Sequence, residues 1–353
     1  MFIRKALLAV AVTLYFNGTL LADTLALKPD HPSRHVVVTG DTLWDISSKF
    51  LRDPWRWPEI WNLNPEIKNP HLIYPGDILS LVYVDGKPVL QLERGGSGAQ
   101  NTVKLSPQAR PTQLGGAIRT VPATAISQFL FQPRILTQEQ LDQAGSIVAA
   151  QDSRLVSGAG NIVYVQQLAQ TPGIKGYSIY RINQTYRNPE NEDDILGYEA
   201  IHVSDAQLTR EGDPATLRIS KSYRETLIGD KVLVSDKAEL DQSFLPHSPE
   251  QKVDGQIISL IDGMSSAGQH QTVVIDLGKQ DGIEVGHVLA VNQGGDIVKG
   301  TGLASYFTSK EEVRLPDERA GLLMVVRSFD RISYAMVMNA TRNIRAADMV
   351  SNP

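Results

Sequence analysis

The spacing of apolar residues changes along this chain, and the change divides it. Residues 35–38 are β-branched and read as a short strand ending at Thr39-Gly40-Asp41, a turn in which glycine supplies backbone freedom and the carboxylate can cap a helix. Leu43, Ile46 and Phe50 then recur at helical spacing, with Thr42 and Asp45 placed as in a capping box. A second helix is expected near Trp57, with Pro58 at a first helical position, Ile60 and Trp61 facing inward, and Asn64-Pro65 as the stop. Leu72, Ile73, Ile78 and Leu81 supply a return strand, which completes a βααβ unit. Two short helices are expected around 123–131 and 137–143, the second with Thr137 as cap and Gln140 at the reciprocal position.

From residue 145 onward the period shortens to that of strands. Runs at 162–165, 177–182 and 215–219, and again at 272–277, 287–292, 321–327 and 333–338, alternate with glycine turns. Gly282 opens one such turn, feeding the strand after it. Such spacing predicts small sandwiches or barrels rather than βαβ units. Residues 145–176 also lie over 255–286 at a constant offset of 110, with seven identities: Gly145, Ile147, Asp152, Gly158, Val163, Gln170 and Gly176 each recur. Further on, Gly229-Asp230-Lys231-Val232 corresponds to Ala347-Asp348-Met349-Val350 as the offset drifts. An internal duplication is the expectation. The fold class is therefore α+β multidomain, an N-terminal βααβ module followed by two related mainly-β domains.

The first of these units carries the chemistry. All four tryptophans of the chain fall inside it, at positions 44, 55, 57 and 61. Val37, Gly40-Asp41-Thr42-Leu43-Trp44, Ile46, Asn64 and Pro75-Gly76-Asp77-Ile78-Leu79 together resemble the LysM family, the small module that binds N-acetylglucosamine-containing glycans such as peptidoglycan and chitin. The resemblance covers about an eighth of the chain, and the segment 53–58 lengthens the connection between the helices relative to short members. It implies a shallow groove between two loops, contacted largely by backbone groups. In this chain those loops hold Gly40, Asp41, Thr42, Leu43 and Trp44 on one side and Asn69, Pro70, His71, Leu72, Ile73 and Tyr74 on the other. An acetamido sugar presents an amide, several hydroxyls and an apolar face, which suits exposed backbone groups beside a flat apolar wall. Structural roles compete for several of these residues. Asp41 is equally a cap, Trp44 and Trp61 are core residues by type, and His71 is an exposed loop residue.

Composition narrows the rest. Arg4 and Lys5 precede an apolar run from Ala6 to Phe16 that ends at Leu20-Leu21-Ala22, the pattern of a secretory signal peptide over residues 1–22. The run is too short to span a bilayer, where about 20 residues are needed. No cysteine follows, so no lipid anchor on a cysteine and no disulfide framework is expected. Without residues 1–22 the chain carries 32 basic and 39 acidic residues, an acidic balance that makes nucleic acid an unsuitable partner. Gly95-Gly96-Ser97-Gly98 and scattered prolines mark a linker. The expected domains are the module at 33–84, a linker with short helices at 91–144, and β-domain copies at 145–240 and 252–353.

Catalytic constellations are not legible. Histidines stand at 31, 35, 71, 202, 247, 270 and 287 without ligand-like clustering, and Gly263-Met-Ser-Ser-Ala matches a nucleophile elbow only in part. The acidic run Glu190, Glu192, Asp193, Asp194 beside Asn188-Pro189 reads as a solvated hairpin loop. These observations point to non-catalytic peptidoglycan binding outside the cytoplasm, in the periplasm or on the cell wall. No cofactor or metal is expected, and another envelope protein is a second candidate partner, through the β-domains. A cell-wall hydrolase with paired carboxylates in the β-domains, and an envelope assembly or secretion component with an exposed apolar patch or open sheet edge, stand as alternatives.

Overall fold

The computed structural model describes residues 25–61, 73–93, 134–169, 173–235, 245–261, 265–295, 297–299 and 312–353. The expected signal peptide, the helix at 123–131, the glycine-rich segment, and Asn64, Asn69, Pro70, His71 and Leu72 lie outside these residues. The chain divides into two compact units, Met1–Ile118 and Arg119–Pro353.

In the first unit, β1 (Arg34–Val36) leads through the 39–42 turn into α1 (Leu43–Phe50). Thr42 is the N-cap: its hydroxyl accepts from the Asp45 N–H at 3.1 Å and donates to the Asp45 carboxylate at 2.7 Å. That hydroxyl satisfies one of the amides a helix start leaves open, so Asp41 is not the cap the sequence allowed. A short 3₁₀ turn, Pro54–Arg56, precedes α2 (Trp57–Trp61), and the chain returns in β2 (Ile78–Val84). A third strand, β3 (Lys87–Glu93), pairs along all of β2. The unit is thus βααββ rather than βααβ, and the expected linker start at 91 falls inside a strand. Its core joins Val37, Leu43, Ile46, Phe50, Leu51, Trp57, Ile60, Trp61, Ile73, Leu79 and Leu90, each at most 5% exposed. A fully buried residue such as Phe50 or Ile60 contributes about 1.5–3 kcal/mol.

The second unit opens with β4 (Arg134–Leu136) and α3 (Gln138–Gln143), whose Thr137 and Gln140 form the reciprocal capping box read from the sequence. Because β4 pairs with a strand of the first barrel, residues 134–136 belong to that barrel's sheet and not to a linker. The first barrel contains β5 (Gly145–Ala150), the two-residue β6 (Val156–Ser157), β7 (Ile162–Gln166), β8 (Gly176–Asn188), β9 (Asn191–Arg210), β10 (Ala215–Ser222), the two-residue β11 (Thr226–Leu227) and β12 (Lys231–Val234). Pairings run β5–β7–β10–β9–β8–β12 and back to β5, a closed ring of six. Ile147, Val163, Val165, Ile179, Val203, Leu217 and Val232 fill it.

The second barrel contains β13 (Asp254–Leu260), β14 (Thr272–Ile275), β15 (Val288–Gln293), the outlying hairpin β16 (Ile297–Lys299) and β17 (Glu312–Arg314), then β18 (Glu318–Ser328), β19 (Ser333–Ala340) and β20 (Met349–Ser351). Its ring runs β13–β14–β19–β18–β15–β20 and back to β13, position for position the cycle of the first. Val273, Ile275, Leu289, Val291, Leu323, Val325 and Val337 fill the interior. Leu322, Met324 and Val326 on the opposite face of β18 are also buried, which explains the unbroken apolar run there.

The two barrels touch through the long β8–β9 hairpin. Near its tip Arg331 of the second barrel grips Asp194 with two bonds of 2.7 and 2.6 Å, and adds one to the Ile195 carbonyl at 3.2 Å. The acidic run is indeed a hairpin tip, but one of its carboxylates is committed to the neighbouring barrel. The Arg331 guanidinium, then Asn188, hold the Asp194 carboxyl down at about 2. Lower on the hairpin, buried Glu199 accepts from Asn183 at 2.6 Å and from the Tyr186 hydroxyl at 3.2 Å. Burial, followed by the Glu199 charge, pushes the Tyr186 hydroxyl pKa well above its ordinary value.

Candidate functional site

Two turns of the first unit lie side by side. Val37 donates to the Asp77 carbonyl at 2.9 Å and accepts from the Gly76 N–H at 2.8 Å, joining the end of β1 to the turn before β2. Gly40 at φ +96° and Gly76 at φ +100° hold backbone conformations that L side chains rarely adopt, and a Cβ at either would meet open space. The glycines are needed for the turns and not for close packing, and both stand exposed on the surface.

Each turn is pinned by its own carboxylate. Asp41 accepts from the Val38 N–H at 3.0 Å and from His35 Nε2 at 2.9 Å, and Asp77 accepts from the Tyr74 N–H at 3.0 Å. Burial alone would push the Asp41 carboxyl up, but the bonds from Val38 and His35 and the Lys49 charge together hold it below its ordinary value. Asp41 is therefore ionised and engaged from within, leaving the exposed backbone around Gly40 and Gly76 as the surface on offer.

Of the residues placed at the site from the sequence, Gly40, Asp41, Ile73 and Tyr74 are brought together at these two turns. Thr42, Leu43, Trp44 and Ile73 are buried, Trp44 to 3% exposure. They support the turns from below, and Trp44 does not stand out as a flat wall. Trp57 and Trp61 are core. Gly76 and Asp77, which complete the second turn, stood in the sequence only as part of the closing motif. The Pro-Gly-Asp order was the signal for them.

The arrangement offers exposed main-chain donors and acceptors above a tight apolar core, with no cluster of three metal-ligating side chains among the described residues. The protein-family model for the LysM domain matches residues 35–82, and these residues are a LysM domain. The module accordingly implies binding of peptidoglycan or related N-acetylglucosamine glycans. Among curated proteins, the chain is 37% identical over 60 residues to the uncharacterized protein YqbP of Bacillus subtilis (strain 168). That match covers 14% of this chain and 27% of the relative, so it concerns a segment and not the whole of either protein. No helix among the described residues is long and apolar enough to cross a membrane.

Proposed function

We propose that this is an exported, non-catalytic protein of the cell envelope that the LysM domain holds on peptidoglycan, with the two barrels presented as an adaptor. The observation that carries the reading is the pair of joined turns at Gly40 and Gly76 within a matched LysM domain. Residues 1–22 are a cleaved signal peptide in this reading, Gly40 to Trp44 and Asn69 to Tyr74 form the rims of the groove, and the barrels are copies of one ancestral unit. The shared cycle of pairings and the corresponding Gly-Asp-Lys-Val and Ala-Asp-Met-Val corners support the copying. Affinity from one shallow groove is modest, so a second contact adds avidity.

The test is co-sedimentation with insoluble peptidoglycan sacculi, for the chain from residue 23 and for a version lacking residues 23–90. Binding lost with the deletion, and no muropeptides released, is the expected result. Release of fragments would overturn the non-catalytic part, and failure of the intact chain to sediment would overturn the whole.

A second reading, an envelope assembly component, is favoured by one feature of the first barrel. Leu155, Val156 and Ile228 are 81%, 47% and 53% exposed, and the β6–β11 pairing brings these segments together, beside Val148. Contiguous exposed apolar surface of this kind marks contact sites. Leu155→Asp would then abolish cross-linking to a partner in cells while leaving sacculus binding intact.

A further inference from the structure

The same corner occurs in both barrels, and in the second it borders a cleft. In the first barrel Asp230 precedes β12, and its Oδ2 accepts from the Leu227 N–H at 2.8 Å. In the second barrel Asp348 precedes β20, and its Oδ2 accepts from the Arg345 N–H at 2.8 Å. Lys231 pairs with Tyr180 and Met349 pairs with Asn292, so Arg181 and Gln293, the next residues along β8 and β15, occupy equivalent positions.

Arg181 fills its corner. Its guanidinium reaches both Asp230 oxygens at 2.9 Å and the Glu225 carbonyl at 2.7 Å. Gln293 repeats only part of this, donating through Nε2 to Asp348 Oδ2 at 3.0 Å and to the Asn343 carbonyl at 2.7 Å. It is shorter and neutral, so among the described residues Asp348 Oδ1 has no donor and the carboxylate no cation. The space beside it is a cleft of about 800 Å³ whose walls include Gln293, Glu318, Arg342, Arg345 and Asp348. Arg342 is committed to Glu318 in an ion pair, whereas the Arg345 side chain makes none among the described residues. Among the described residues, the cleft thus holds one carboxylate oxygen and one guanidinium that neither bond each other nor are bonded elsewhere.

We propose that this cleft binds an amino-acid zwitterion, with its ammonium on Asp348 Oδ1 where the first barrel places a guanidinium, and its carboxylate on Arg345. A fork of donors suits a carboxylate, and an unpaired carboxylate in a partly enclosed cleft suits an ammonium. The carrier is the free amino-acid end of a diaminopimelate residue in a peptidoglycan stem peptide, an assignment that rests on the wall-binding function proposed above. Glycan and peptide would then be recognised by different units of one chain.

The test is calorimetric titration of the purified chain with the soluble tripeptide L-Ala-γ-D-Glu-meso-diaminopimelate, with the same peptide acetylated on the amine of its diaminopimelate D-centre, and with free diaminopimelate. Saturable binding of the tripeptide is expected, weakened at least tenfold by acetylation. R345Q, at an exposed side chain without partners, should weaken it at least tenfold. Q293R, which installs the cation of the first barrel, should do the same with no loss of thermal stability. Absence of saturable binding, or binding undiminished in Q293R, would overturn the site. Free diaminopimelate carries the same zwitterion and should bind within about tenfold of the tripeptide; a tripeptide that binds while free diaminopimelate does not would overturn the zwitterion assignment. Sacculus binding by R345Q through the LysM domain, measured alongside, reports separately on the glycan reading.

Discussion

The two barrels close through one cycle of six pairings, yet they differ in strand length and in how one corner is filled. The first extends two of its strands into the β8–β9 hairpin, 13 and 20 residues long, and seals its corner with Arg181. The second keeps its strands short, receives the hairpin tip on Arg331, and leaves its corner open beside Gln293. The ring depends on buried apolar side chains that face inward at every other position, which leaves little freedom. Hairpin length and a single corner residue lie outside that constraint, so they are where two similar barrels acquire different roles.

The largest test of this comparison removes an interior leucine from each ring. Leu217→Ala and Leu289→Ala should each cost about 2–5 kcal/mol, because both residues are fully buried and their neighbours collapse only in part. If the hairpin couples the barrels, both variants lower one shared transition in calorimetry. Two independent transitions would show the rings to be separate bodies. A smaller effect is expected from Arg181→Gln, which gives the first corner the residue of the second. It leaves Asp230, 4% exposed, without its cation, and should cost about 1–3 kcal/mol in urea unfolding.

The smallest effect belongs to the hairpin tip. Asp194 has its pKa lowered to about 2, so its pairing with Arg331 is fully present above the ordinary carboxylate value of about 4 and is lost as pH falls toward 2. Protection of the amides at residues 183–195, measured against their intrinsic exchange rates, should therefore be high at pH 5 and fall as pH approaches 2. In Arg331→Gln that protection should already be low at pH 5, and a variant with unchanged protection would remove the tip from the coupling.

Legibility differed between these regions for physical reasons. The LysM turns could be read because backbone conformation forces their residue types: glycine at positive φ, with an aspartate three residues from a backbone amide it can accept from. The ring strands could be read from β-branched runs that alternate with glycine turns. Strand β3 was harder to read because Gln91 and Glu93 look by type like the start of a polar segment, although Leu90 and Leu92 continue the alternation. The Arg331 partner of Asp194 lies 137 residues away, and no local pattern announces it. The Asp230 and Asp348 corners were matched from the sequence but their partners were not, since Arg181 and Gln293 align at an offset of 112 and pairing register is needed to set them side by side.

Closure also fixes an order of assembly. Strand β20, at residues 349–351, sits between β13 and β15, so the second ring has an open seam until the very last of its strands is made. Pairing across nearly a hundred residues of sequence is slow, and until it happens β13 and β15 expose unpaired edges that invite other chains. A nascent chain stalled before residue 349 would be a species prone to aggregate, while the first ring, complete by residue 234, would already be shut.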